Sequence, residues 1–129
     1  MTYLTIQHIF TTVVLHLRKQ GEPAIGTPDR LCQYLNESGQ MCAAGCLIKE
    51  GLYNQSLEGV SVSNIRIRAV LDASGINMDD FNVSGLIAEL QTSHDDTCVH
   101  DWLDVQEVRW KALAKRYDLV VPPMQLTTI

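Results

Sequence analysis

The sequence predicts an α+β domain, mostly helical, with a single β-hairpin packed beside the central helices. Three observations predict it. Several stretches carry apolar residues at helical spacing. The stretch 31–42 instead reads as two short extended runs around the turn sequence NESG. The chain of 129 residues suits one domain, able to bury roughly two-thirds of the surface exposed when unfolded. The globular domain is placed at 1–119 and an extended C-terminal tail at 120–129.

In the first helix Ile6, Ile9, Phe10, Val13, Val14 and Leu17 form one stripe, Thr5 is the cap and Gly21 the stop. The segment GEPAIGTPD reads as a loop, with two prolines and two glycines. In the predicted hairpin a turn centred on Glu37 places Cys32 opposite Cys42. A helix then runs from Cys42 to Leu52, with Cys42, Cys46 and Lys49 on one side. Gly45 within it costs about 1 kcal/mol relative to alanine, which points to close approach by another element or a ligand. The segment NQSLEGVSVSN is a loop. A helix from Ile65 to Ala73 stops at Gly75, and Asn82 caps the next, which bears Val83, Leu86, Ile87 and Leu90 and ends near SHDDT. The last helix opens at Asp101, with Asp104 in its first turn and Leu103, Trp110, Leu113, Ala114 and Tyr117 facing inward. The tail LVVPPMQLTTI is apolar but broken by Pro122 and Pro123, so it is expected to lie extended on the body or on a neighbouring subunit.

Composition narrows the function classes. Hydrophobic residues make up 46% and charged residues 19%, a globular balance. No apolar run approaches the roughly 20 residues that span a bilayer, so no membrane partner is expected. A formal net charge of −5 argues against a protein that neutralises nucleic-acid phosphates. In a reducing cytoplasm, four cysteines are expected as free thiols, metal ligands or catalytic groups rather than disulfides.

Two places gather chemistry. Cys42 at the start of a helix would feel unpaired amides that stabilise thiolate, and His94 with Asp95 beside it offers a base and an orienting carboxylate. Cys42, His94 and Asp95 therefore define a thiol hydrolase or transferase reading. Against it stands the frequency of Cys, Ala and Gly in packed interiors. The same helix start, Cys42, Ala43, Ala44 and Gly45, could receive a phosphate at its amides while Tyr34 and His94 hold a base. A zinc-stabilised interaction module is a third reading. Cys32, Cys42, Cys46 and His94 have suitable ligand types, but their spacing lacks the usual tight Cys-x-x-Cys knuckles. No cofactor is expected.

A C-x-Y strand (Cys32, Tyr34), the turn glycine Gly39, the run CAAGCLI from Cys42 to Ile48, Glu50 with Tyr53, and LQ-x-x-HD at Leu90, Gln91, His94 and Asp95 together resemble small uncharacterised bacteriophage and prophage proteins. The chain departs from that pattern at Lys49, where a proline is expected. The resemblance implies a phage setting and a bacterial host cytoplasm, and no reaction. In that setting the leading expectation is a non-enzymatic accessory protein, with an anti-defence role included. It would sequester a host signalling nucleotide or block a host protein, and would form a homo-oligomer through its apolar tail.

Overall fold

Thr5 opens α1 (Ile6–Gln20) by accepting a hydrogen bond from the His8 amide, and Gly21, at φ 75°, closes it by donating to the Leu17 carbonyl. The structure, a computed structural model, describes residues 2–26 and 31–124. The stripe Ile9, Phe10, Val13, Val14 and Leu17 is fully buried, as a 3.6-residue period dictates. Asn64 caps α2 (Ile65–Ala73), which buries Ile67 and Leu71. The helix α3 (Phe81–Asp95) begins ahead of the predicted cap at Asn82, because the Asp80 carboxylate accepts from the Asn82 and Val83 amides. After Asp101 comes α4 (Trp102–Tyr117), with Trp110, Leu113 and Ala114 buried.

Helix α3 packs against α4, and α1 against α3. Arg18 locks α1 to α4 through a two-pronged pair with Glu107, at 2.7 and 2.9 Å, while its third nitrogen donates to the Pro122 carbonyl. The same guanidinium lies 6.0 Å from the centre of the Trp110 ring. Gln7 exchanges hydrogen bonds with the backbone of Val120. The tail thus lies along α1 of its own chain as far as Pro123; 125–129 of the predicted tail and 27–29 of the predicted first loop fall outside the described residues. Among the described residues no helix is long and apolar enough to cross a membrane.

The α+β class with a β-hairpin is corrected. The described residues form four α-helices with 51% helix, only 3% strand and no sheet. Where the hairpin was expected there are two isolated antiparallel bridges, Ile25 with Cys32 and Leu35 with Met41. Side chains take the donors that a ladder would use. Glu58 accepts from the amides of Tyr34 and Leu35, Asn36 from those of Ser38 and Gln40, and Gln20 from that of Met41. Backbone groups satisfied in this way have no need of a partner strand. The register differs too. The turn centres on Ser38, so Cys42 donates its amide to Tyr34 and Cys32 pairs with Ile25 instead of facing Cys42.

The helix expected from Cys42 to Leu52 is a single 3-10 turn, Gly45–Leu47, followed by extended backbone at Ile48. Helical winding stops there because Ser74 takes the Lys49 amide at 2.8 Å. This turn packs on α1. Gly45 shows the close approach that its position suggested: a Cβ there would stand 2.0 Å from the Tyr34 carbonyl oxygen. The approaching element is the chain's own backbone.

Candidate functional site

The C-terminal end of α3 brings Gln91, His94 and Asp95 to the irregular segment that carries Cys32 and Cys42. Gln91 and Asp95, four residues apart, share one helix face, and the Gln91 amide nitrogen donates to Asp95 Oδ1 at 2.8 Å. The Gln91 amide oxygen accepts from the Ala44 N–H at 2.9 Å, which fixes the side chain's orientation. Gln91 therefore couples the Cys42–Gly45 backbone to Asp95. It was not among the predicted site residues, although its place one turn before Asp95 was readable.

His94 is fully buried. Its Nε2 lies 3.0 Å from the Ala24 amide and its Nδ1 2.9 Å from Asp95 Oδ1. A backbone N–H can only donate, so Nε2 carries the lone pair and Nδ1 carries the proton that Asp95 accepts. The ring meets Trp102 edge-on at 5.6 Å, and the Trp102 indole donates to the His94 carbonyl. Both imidazole nitrogens are thus committed, one to Ala24 and one to Asp95, while the ring edge and the backbone carbonyl of His94 hold the start of α4.

The thiols are placed differently from the expectation. Cys32, rather than Cys42, joins His94 and Asp95: one ligand atom from each lies within 4.8 Å of the others. Burial, reinforced by the Asp95 charge, pushes the Cys32 thiol up to about 12. Cys42 is fully buried, and burial drives its thiol far above the ordinary range despite a 3.3 Å hydrogen bond from the Gly45 amide. Cys46 donates its thiol hydrogen to the Ala43 carbonyl, and burial holds it at about 12. All three are protonated at neutral pH and so are weak nucleophiles.

For a metal, the described residues bring together Cys32, His94 and Asp95, without Cys42 or Cys46. Binding at His94 Nδ1 would move the ring proton to Nε2, against the Ala24 N–H. For an anion, three of the four amides expected to receive it are already engaged, Cys42 with Tyr34, Ala44 with Gln91 and Gly45 with the Cys42 sulfur, which leaves only that of the buried Ala43. Tyr34 itself is buried, its hydroxyl donating to the Val60 carbonyl.

Beside these residues opens a cavity of about 700 Å³ between the Cys32–Tyr34 stretch, the 59–63 loop and the last turns of α3. Asp95 is its charged lining residue; among the described residues no Lys, Arg or His lines it. A second cavity of about 710 Å³ lies between the start of α1 and the end of α4, away from every cysteine and from His94. Comparison with known proteins gives no match to a family model, to a curated protein or to a solved structure.

Proposed function

We propose that this protein acts by binding and not by catalysis, as an accessory protein of the bacteriophage type that blocks a host protein. The commitment of the His94 Nε2 lone pair to the Ala24 amide carries this reading. A Cys-His nucleophile needs that lone pair to take the thiol proton, and among the described residues the deeply buried Cys42 has no charge nearby to favour its thiolate. The phage setting rests on the resemblance of the CAAGCLI and LQ-x-x-HD runs. A host protein is favoured over a phosphate-bearing signal because the turn amides at Ala44 and Gly45 are spent internally and the adjacent cavity offers a carboxylate where an anion would need cations.

Competitive alkylation with iodoacetamide at pH 7, mapped by mass spectrometry, tests this. The exposed Cys98 is expected to react first and Cys42 last, by about tenfold or more. If Cys42 labels fastest, and His94→Ala slows it, the protein carries an activated thiol and the binding reading is wrong.

A further inference from the structure

Asp95 stands where a carboxylate is unwelcome. It is the last residue of α3, at the end where the unpaired carbonyls concentrate negative potential, and Asp96 follows it. Asp96 is neutralised by Arg109 at 2.8 Å; among the described residues Asp95 pairs with no Lys or Arg. Its Oδ1 is held by two neutral donors, His94 Nδ1–H and Gln91 Nε2–H, and both donors are themselves oriented by backbone amides. Oδ2 receives no hydrogen bond from a nitrogen or oxygen of the described residues. The side chain is 43% exposed and lines the cavity of about 700 Å³.

Two independent observations thus coincide: a carboxylate fixed in direction by a dedicated frame, and a cavity of side-chain size or larger that this carboxylate lines, where the Cys32 thiol, a weak donor, is its other neighbour. The rest of the wall supplies neutral oxygens from Thr92, Ser61, Ser63 and Gln33. The field of Asp95 is felt across the cavity, where it helps to raise the Cys32, Tyr34 and Cys42 protons' affinity. Such a wall rejects phosphate and rewards a cation with several N–H donors.

We infer that this cavity is the receptor for an arginine side chain of the blocked protein, with Asp95 Oδ2 accepting from the guanidinium and the surrounding hydroxyl and amide oxygens taking its remaining hydrogens. The inference rests on the binding reading above and names the chemistry of its contact. A guanidinium suits the site better than an ammonium because its planar fork can meet the fixed carboxylate and a neighbouring oxygen at once.

The test is amide chemical-shift mapping of the whole ¹⁵N-labelled chain with acetyl-arginine methylamide, agmatine, guanosine monophosphate and zinc ion as probes. Both guanidinium probes should shift the amides of Gln33, Gln91 and Asp95, and added salt should weaken the response. Asp95→Asn keeps an oxygen for His94 and Gln91 but turns Oδ2 into a donor. It should retain the wild-type spectrum elsewhere and bind acetyl-arginine methylamide at least tenfold more weakly. If agmatine binds the site more than tenfold tighter than the capped arginine, the source is a free small cation and the protein-contact assignment fails. Equal binding by Asp95→Asn, a preference for guanosine monophosphate, preferential binding of zinc, or no response to either guanidinium probe would each overturn the inference. None of these outcomes activates Cys42, so the alkylation experiment still decides the non-catalytic reading separately.

Discussion

The helical frame and the irregular segment formed by residues 31–64 reach order by different physics. In the frame, apolar side chains repeat at the helical period and are buried together: Ile9, Phe10, Val13, Leu17, Leu71, Leu86, Leu90 and Trp110 are all inaccessible or nearly so. In the segment, backbone groups are satisfied one at a time by side chains, Glu58 and Asn36 from within it and Gln20, Gln91 and Ser74 from the helices or their ends. The frame depends on a pattern that tolerates volume-conserving change, and the segment on individual hydrogen bonds that do not. The difference explains why the chemistry-bearing residues Cys32, Cys42 and Gly45 sit on structure that no periodicity announces.

Three perturbations sharpen the contrast. Phe10→Ala removes a fully buried ring from the frame and is expected to lower the unfolding free energy by about 3–5 kcal/mol in urea melts, with all probes reporting one transition. A loss well under 1 kcal/mol would mean that α1 is not the centre of the core. Gly45→Ala forces a Cβ against the Tyr34 carbonyl and should cost about 1–3 kcal/mol, with amide hydrogen exchange quickening from Cys42 to Leu47 while α4 stays protected. Uniform loss of protection would show that segment and frame unfold as one unit. The smallest effect is pH-dependent. The folded Cys46 thiol is raised from 9.0 to about 12, so the folded state holds more protons than the unfolded chain between those values. Its stabilising contribution is therefore complete below about pH 9 and is lost as the pH rises towards 12. Thermal melts of wild type should fall across that window more steeply than those of Cys46→Ala; parallel curves would place Cys46 in water.

The helices were legible because one sequence signal, period plus cap, decides each of them. Thr5 and Gly21 bound α1, Ile65 and Ala73 bound α2, and Asp101 precedes α4, as the sequence suggested. The start of α3 shifted because Asp80, beside Asn82, is a competing cap. The hairpin was not legible. Leu31 to Cys42 has the composition of two strands, but Glu58 and Gln20, which divert its amides, lie 21 or more positions from the amides they take and carry no pattern of their own. His94 and Asp95 were singled out together, and in the structure the imidazole Nδ1 lies 2.9 Å from Asp95 Oδ1. The sequence could not show that Cys32 would reach them in place of Cys42, since that follows from a turn centred on Ser38. Gly45 was read as a contact glycine, and the Tyr34 carbonyl is that contact.

The measurement that bears most directly on the central claim is the tautomer of His94, read from ring-nitrogen chemical shifts in a long-range ¹H–¹⁵N correlation spectrum at pH 7.5. The account predicts a single neutral form with the proton on Nδ1, facing Asp95, and the lone pair on Nε2, facing the Ala24 amide. A proton on Nε2 would free Nδ1 to serve as a base or a metal ligand beside Cys32, and would contradict the claim that His94 holds the structure together and takes no part in chemistry.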